Sequence, residues 1–327
     1  KLIDVSTGKQ INEQKTNEFG EYDFKDLANG KYLVAVVYDK NTYKPTIYQK
    51  DGVKESVNSD VVAKTSNDEE LAVTDILEVK NIGKKYQNKE GEILALKNVN
   101  FRVKKGEFVS IIGPSGCGKS TLLSIIAGLE EKTTGEIYIE GEKVNGISSK
   151  IGYMLQRDCL LEWRNILSNT MFGLEVKGKK DNVNKEYVLE LLKKYNLYEF
   201  KGKYPSELSG GMRQRVALIR TLAVKPKILL LDEAFSALDY QTRIMVTNDI
   251  YYILRKEKIT AIIVTHDISE AISMSDRVLV LSKRPGTIKD IHKINFGIEN
   301  RTPINCRESP KFSQYFNTLW KELGVDE

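Results

Sequence analysis

Short, continuous apolar runs recur along the chain from residue 75 onward. Each run has four or five residues, which is typical of strands that are buried on both faces of a parallel sheet. The runs lie at 108–112, 228–231, 261–264 and 278–281. Segments with a helical pattern, such as 120–127 and 186–195, lie between them. Because strands alternate with helices, the sequence predicts an α/β core.

The first 60 residues have a different pattern, which predicts β-structure. Residues 19–24 alternate apolar and polar side chains, and residues 32–38 are β-branched and aromatic after the turn signal Asn29-Gly30. The run TNEFGEYDFKDLANGKYLVAVVYD resembles the B-type repeat domains of Gram-positive surface adhesins. The resemblance implies a small all-β sandwich-like domain at 1–60, whole or partial, with no catalytic residue. The polar, acidic residues 61–74 are typical of a linker.

Composition and charge are those of a globular protein with two cores. The 327 residues are 41 % hydrophobic and 29 % charged, which argues against a disordered or fibrous chain. Residues 1–74 have a net charge of −3, with 10 Lys and no Arg against 13 acidic residues, and the remainder has a net charge of +8. This modest basic excess fits phosphate ligands or lipid headgroups as well as nucleic acid, and we expect no nucleic-acid partner.

The cysteines and the apolar runs bear on the cellular compartment. Cys117, Cys159 and Cys306 are odd in number and widely spaced, which favours reduced thiols over a disulfide or a zinc site. No apolar run approaches the roughly 20 residues that span a bilayer, and no signal peptide opens the chain. Any association with a membrane is therefore expected to come through a partner.

A glycine-rich segment follows the run 108–112 and precedes a predicted helix. It fits the pattern GxxxxGK[ST] and consists of Gly113, Pro114, Ser115, Gly116, Cys117, Gly118, Lys119 and Ser120, with Thr121 next in the helix. The glycines allow backbone N–H groups to surround a phosphate at the helix start. We expect Lys119 to contact the β- and γ-phosphates and Ser120 to ligate Mg²⁺. The strand before and the helix after disfavour a chance match.

Two further motifs follow in the chain. The apolar run 228–231 ends in Asp232, which is suited to the Mg²⁺ shell, and Glu233, which is suited to polarising a water. Taken alone, these acidic residues could equally mark the end of a strand that exits into solvent. The phosphate loop elsewhere in the chain favours the functional explanation. Ser209, Gly210 and Gly211 precede a predicted helix at 216–223 and form either a second anion site or an ordinary helix cap.

Five motifs occur along the chain in a fixed order: the phosphate loop, LSGGM at 208–212, LLLDE at 229–233, SALD at 236–239 and VTHD at 264–267. Residues 75–327 thereby resemble the ATP-binding-cassette (ABC) ATPases. The resemblance implies an α/β P-loop NTPase with a RecA-like core, an antiparallel β subdomain, a helical subdomain at about 158–207 and a C-terminal extension at about 285–327.

The resemblance also implies roles for single residues, with ATP and Mg²⁺ as cofactors. Tyr86 would stack on adenine, Gln156 would sense Mg²⁺ and the attacking water, and His266 would act as the switch histidine. Ser209 and Gly211, with Gly210 and Asp239, would contact ATP that is held by a second, identical subunit. Two cassettes would thus face each other head to tail and enclose two ATP molecules.

Finer details resemble one group of importers. LSGGMRQR at 208–215, LDYQTR at 238–243 and LLEWRNI at 160–166 are similar to the ATPases for nitrate, sulfonate, taurine and thiamine-precursor uptake. They imply permease subunits, an extracytoplasmic solute-binding protein as an indirect partner, and a place on the cytoplasmic face of the membrane. Arg220-Thr221-Leu222 departs from the usual Ala-Arg-Ala-Leu. Trp163 is either a permease contact or an ordinary packing residue.

Three questions stay open at this stage. A soluble ATPase in translation or DNA repair is the main alternative, but this chain has one cassette and no heptad array between Ser120 and Ser209. Residues 1–60 would be a surface binding module, or a fusion or artefact without a catalytic role. Cys117 is either a reactive thiolate, favoured by the helix N-terminus and Lys119, or a small residue whose sulfur turns into the protein.

Overall fold

In a computed structural model the chain divides into two compact units, Lys1–Val73 and Thr74–Glu327. The structure describes residues 2–4, 10–12, 31–34, 48–51, 75–88 and 91–324. In the first unit an antiparallel sheet has the order β2-β1-β3-β4, formed by β1 (Leu2–Asp4), β2 (Gln10–Asn12), β3 (Lys31–Val34) and β4 (Tyr48–Asp51). The predicted strand 19–24 and the linker 61–74 lie outside the described residues. The resemblance to a surface-protein domain stays a prediction.

The second unit contains two sheets and eight helices among its described residues. Its strands are β5 (Asp75–Asn88), β6 (Gly91–Lys104), β7 (Phe108–Ile112), β8 (Thr134–Ile139), β9 (Glu142–Lys143), β10 (Ile151–Met154), β11 (Ile228–Asp232), β12 (Thr260–Val264), β13 (Arg277–Leu281) and β14 (Ile288–Lys293). Its helices are α1 (Lys119–Ala127), α2 (Ile166–Val176), α3 (Asn182–Lys194), α4 (Gly210–Ala223), α5 (Tyr240–Lys256), α6 (Ile268–Met274), α7 (Pro303–Glu308) and α8 (Pro310–Glu322). No helix of the described ranges is long and apolar enough to cross a membrane.

The central sheet has the strand order β10-β11-β12-β7-β13-β14, and all pairs except β13–β14 are parallel. The four predicted strands are confirmed, because each apolar run forms a strand within one residue of its predicted bounds. Every residue of β7 and β12 is buried. In this register Asp232 lies opposite Val264, and Val264 lies opposite Ile111. The loops that follow β11, β12 and β7 therefore meet at one edge of the sheet.

The smaller sheet has the order β6-β5-β8-β9 and is antiparallel throughout. It lies against the start of α1, because a side chain at Gly118 would come within 2.7 Å of Leu96 Cδ2. Two backbone hydrogen bonds join β6 to the β13–β14 turn, from Lys97 N to Gly286 O (3.0 Å) and from Gly286 N to Ala95 O (2.9 Å). The edge of this sheet is thus fixed beside the glycine-rich loop.

Two predicted helices begin earlier than their apolar pattern indicates. Helix α3 begins at Asn182 rather than 186, because the Asp181 side chain accepts a hydrogen bond from Asn184 N (2.7 Å). Helix α4 begins at Gly210 rather than 216, because Ser209 Oγ accepts from Met212 N (3.3 Å). In both cases a polar cap satisfies the first free N–H groups of the helix.

The C-terminal helix α8 packs on α6 through its apolar face. Leu319 is buried, and Phe312, Tyr315, Phe316 and Leu323 pack against the same cluster, so core packing explains this apolar face. Its far end is tied to β14 by His292 Nε2, which lies 2.9 Å from the Glu322 carboxylate. Ser309 precedes the helix but its side chain does not cap it.

Candidate nucleotide-binding site

The glycine-rich loop is wound tightly between β7 and α1. Gly116 and Gly118 have φ values of 70° and 106°, a region that glycine adopts without strain. Lys119 is buried, and its Nζ donates to the carbonyl oxygens of Gly113 (2.7 Å) and Pro114 (3.0 Å). The Arg284 guanidinium donates to Gly116 O (3.0 Å) from the turn after β13. The loop therefore surrounds an ammonium group and ends at a helix N-terminus, which suits an anion.

Asp232 and Ser120 lie side by side at the edge of the sheet. Ser120 Oγ donates to Asp232 Oδ1 (3.0 Å), and the Tyr153 hydroxyl donates to Asp232 Oδ2 (3.0 Å). Burial raises the pKa of Asp232 above its ordinary value, although both hydrogen bonds act to lower it. A hydroxyl and a carboxylate are oxygen ligands of the kind that Mg²⁺ prefers. These residues therefore fit a Mg²⁺ ion.

Three side chains from neighbouring strand ends meet, namely Gln156, Glu233 and His266. Gln156 Nε2 donates to Glu233 Oε2 (3.4 Å) and to Ser236 Oγ (3.2 Å). His266 Nδ1 lies 3.5 Å from Glu233 Oε2. Glu233 itself has a φ of 46°, the left-handed region, which costs about 1–3 kcal/mol for such a residue. Strain at a carboxylate that two polar side chains contact is typical of a reacting centre.

The start of α4 packs against the segment after Glu233. A side chain at Gly211 would come within 2.9 Å of Val246 and 3.0 Å of Thr242, so only glycine fits there. Ser209 is exposed, and Asp239 caps α5 by accepting a hydrogen bond from Thr242 N (3.0 Å), which lowers its pKa. Within the described residues, no hydrogen bond joins 209–211 or Asp239 to the loop 113–121.

Tyr86 lies in β5 opposite Ile93 of β6. Its ring is 36 % exposed, and Lys84 Nζ lies 4.7 Å from the ring centroid. An adenine could therefore stack on the ring face away from Lys84. Thr121 lies in the first turn of α1, one residue after Ser120.

The hypothesis of a reactive Cys117 is wrong. The side chain is 1 % exposed and belongs to the core cluster around β7, with its sulfur facing the Gly113 backbone. Burial raises the pKa of the thiol, and this outweighs the opposing effect of Lys119. The loop N–H groups and the lysine were correctly identified as favouring the thiolate, but desolvation is the larger effect.

Alkylation with a maleimide should modify Cys159 first, because this thiol is exposed whereas those of Cys117 and Cys306 are buried. We expect Cys117 to react more slowly, since its side chain is buried and its raised pKa lowers the thiolate fraction. Peptide mapping over time measures this, and Cys159→Ser should remove the fast phase. Labelling of Cys117 as fast as that of Cys159 would contradict the buried placement.

Tyr153 and Arg284 contact the site residues but were not singled out from the sequence, and Ser236 was identified only as part of the SALD motif. Tyr153 offers a weak signal, since it precedes Gln156 by three residues in a strand that leads into the site. Arg284 offers none, because it reaches the loop from 168 residues away in sequence. The strand order brings these residues together, and a single sequence does not show that order.

Comparison with known proteins gives a consistent result. A family model described as ABC transporter matches residues 96–236. The uncharacterized ABC transporter ATP-binding protein YtlC of Bacillus subtilis is 45 % identical over 248 residues, 76 % of this chain and 95 % of that protein. The nitrate import ATP-binding protein NrtD of Synechocystis sp. is 39 % identical over 247 residues, 74 % of this chain and 93 % of NrtD. The dimeric structure of the ATP-binding cassette MJ0796 bound to ADP and Pi is similar with a TM-score of 0.58 and 36 % identity, over 67 % of this chain and 99 % of that one.

Proposed function

Because this chain belongs to the ABC transporter ATP-binding proteins, we propose that it powers an importer for a small solute through separate membrane subunits. The observation that carries the proposal is the meeting of Gln156, Glu233 and His266 beside the glycine-rich loop. The similarity to NrtD and the LLEWRNI segment support a solute of the nitrate, sulfonate or taurine kind, with thiamine precursors as a further class. The chain is an ATPase in either case.

The loop and its surroundings would bind the ATP phosphates. Backbone N–H groups of 115–118 and the N-terminus of α1 would face the phosphate oxygens. Lys119 Nζ would exchange its bonds to Gly113 and Pro114 for the β- and γ-phosphates. Ser120 and Asp232, with Gln156, would hold Mg²⁺, which when bound neutralises charge on the phosphates. Tyr86 would stack on the adenine ring.

Glu233 is placed to act on the attacking water. Its carboxylate would accept a proton from a water in line with the γ-phosphorus, and the bond to the leaving ADP oxygen would break. Gln156 and His266 both contact Glu233 Oε2 and would hold this carboxylate and the water in position. The products are ADP and phosphate.

A second copy of the chain would complete the site. Ser209 is exposed, and Gly210 and Gly211 form the N-terminus of α4, which suits an anion. We propose that these residues and Asp239 face ATP held by the partner copy in a homodimer. The dimeric MJ0796 cassette with ADP and Pi supports this arrangement.

Trp163 is the best candidate for a contact with a permease subunit. Its side chain is 75 % exposed, so the ordinary packing interpretation is wrong within the described unit. A large exposed aromatic residue is typical of an interface anchor. This contact would place the chain at the cytoplasmic face of the membrane, with a solute-binding protein as an indirect partner and no nucleic acid.

Proteoliposomes that contain the chain and its membrane subunits should accumulate solute only when ATP is present on the side of the membrane to which the chain binds. We expect Trp163→Ala to lower uptake about tenfold or more, as for loss of an interface anchor worth about 2 kcal/mol. ATP hydrolysis by the isolated chain should be unchanged. Uptake of labelled nitrate, alkanesulfonate, taurine and thiamine precursor measures this.

Tyr252→Ala is the matched control, because this aromatic residue is 60 % exposed on α5 and has no proposed contact. Its uptake should equal that of the unmodified chain. If ATP drives uptake of none of these solutes, the importer proposal fails while the ATPase activity stands.

A further inference from the structure

Five residues form a closed ring of side-chain and backbone contacts that includes the proposed catalytic carboxylate. The ring consists of Glu233, Ser236, Arg243, Asp267 and His266. Ser236 Oγ donates to Glu233 O (2.9 Å), and His266 Nδ1 lies 3.5 Å from Glu233 Oε2. Arg243 closes the ring, with one nitrogen directed at Ser236 O (3.4 Å) and another at Asp267 Oδ2 (3.7 Å). His266 and Asp267 are joined by the backbone.

Arg243 is not where helix stability would place it. It is the fourth residue of α5, at the end of the first turn, where the helix dipole disfavours a cation. Its guanidinium turns back over the segment 236–239 and donates to Leu238 O (2.8 Å) as well as to Ser236 O. Its Nε is buried without a hydrogen-bond partner, which lowers stability further. Helix stability therefore does not explain the position of this arginine, whereas its hydrogen bonds to two carbonyl oxygens fix the segment 236–239.

Asp267 divides its two oxygens between two tasks. Oδ1 caps α6 by accepting from Ser269 N (2.8 Å) and Glu270 N (3.2 Å), and Oδ2 faces Arg243. Behind it, Thr265 Oγ1 accepts from Asp267 N (3.0 Å) and bonds the buried Glu270. The turn that carries His266 is thus fixed to α6 by hydrogen bonds. Among these contacts, only the pair of Arg243 and Asp267 joins this turn to α5.

The segment 236–239 also reaches the start of α4. A side chain at Gly210 would lie 3.3 Å from Leu238 Cδ2. Arg243 donates to the carbonyl of the same Leu238, so one guanidinium links the α4 start, the segment after Glu233 and the His266 turn. These are the elements that the proposed reaction requires in one arrangement.

We propose that Arg243 is a positioning residue for ATP hydrolysis, which holds the segment 236–239 and the His266 turn in register around Glu233. The inference rests on the proposed role of Glu233. It predicts that loss of Arg243 slows turnover without weakening the binding of ATP to its own phosphate loop, because that loop lies outside the ring. A movement of 236–239 would move the His266 turn with it through the same guanidinium.

The test measures ATP hydrolysis by the full chain against ATP concentration for Arg243→Gln, Arg243→Lys, Asp267→Asn and the double variant Arg243→Gln/Asp267→Asn. For Arg243→Gln we expect kcat to fall about tenfold to a hundredfold, with KM for ATP within about twofold, as for a misplacement of about 1 Å. Arg243→Lys keeps the charge but not the planar guanidinium, so its kcat should lie between that of the unmodified chain and that of Arg243→Gln. Asp267→Asn keeps an oxygen for the α6 cap. The loss of kcat in Asp267→Asn should not add to the loss of kcat in Arg243→Gln when both are combined in the double variant.

Arg255→Gln is the matched control. Arg255 lies near the other end of α5, also has a buried, unpaired Nε and pairs with Asp276 (2.7 Å). This variant should lower Tm to a similar extent and keep the kcat of the folded protein. A wild-type kcat for Arg243→Gln, additive losses in the double variant, or an equal kcat loss for Arg255→Gln would overturn the inference. Absence of hydrolysis by the unmodified chain would instead refute the proposed function, and the inference would fall with it.

Discussion

Glu233→Gln should bind ATP but nearly cease to hydrolyse it. The substitution removes the carboxylate that would accept the proton of the attacking water, and general-base catalysis contributes about 10²–10⁴ in rate. Glutamine keeps the length of the side chain and an oxygen that Gln156 Nε2 can contact at the position of Glu233 Oε2. The left-handed φ of 46° is equally strained for either residue, so the fold should be little affected.

Because ATP is bound and not consumed, this variant should accumulate as a nucleotide-bound dimer. Steady-state phosphate release measures the first effect, and size-exclusion chromatography with Mg-ATP measures the second. Glu308→Gln is the control, since Glu308 is an exposed residue of α7 and has no proposed part in the reaction. Phosphate release by Glu233→Gln near the wild-type rate would remove Glu233 from its proposed role.

The strands of the core could be predicted closely because each is a short and mainly apolar run. Residues 108–112 form β7 with the predicted bounds, since four of the five positions are apolar and Ser110, the one polar residue, is buried with them. Helix starts were predicted less well. The Gly210-Gly211 pair has poor helix propensity, yet it begins α4 because Ser209 caps the helix and Gly211 packs against Val246 and Thr242. Tertiary packing thus overrides a local preference.

The candidate site divides in the same way. Lys119, Ser120, Asp232 and Glu233 could be identified from local motifs, because phosphate and metal chemistry needs those groups at short spacing. Tyr153 lies in no motif, and the LDYQTR segment at 238–243 contains Arg243 without indicating a role for it. The contacts of both residues depend on which elements are neighbours in the fold. Cys117 shows the limit most clearly, because its sequence neighbours favour a thiolate whereas burial, a tertiary property, raises its pKa.

Asp232→Asn should remove the dependence of ATP hydrolysis on Mg²⁺ together with most of the hydrolysis. The carboxylate is the charged partner of Ser120 Oγ (3.0 Å), and an amide is a far weaker ligand for a hard cation. Loss of the electrostatic stabilisation that a bound metal gives should lower kcat about 10²-fold or more. ATP affinity in the presence of Mg²⁺ should fall to that measured with EDTA, because the phosphate loop is unchanged.

Tyr153→Phe is the matched control, because it removes a hydrogen bond to Asp232 Oδ2 (3.0 Å) and keeps the carboxylate. It should keep Mg²⁺-dependent turnover near neutral pH. The lost bond acts to lower the pKa of Asp232, so the pKa should rise further above its already raised value. Mg²⁺ binds the deprotonated carboxylate, and activity in Tyr153→Phe should therefore begin to fall at a higher pH on acidification than in the unmodified chain. Rate profiles at several Mg²⁺ concentrations measure both effects. Mg²⁺-dependent turnover by Asp232→Asn at the wild-type rate would show that the metal is held elsewhere.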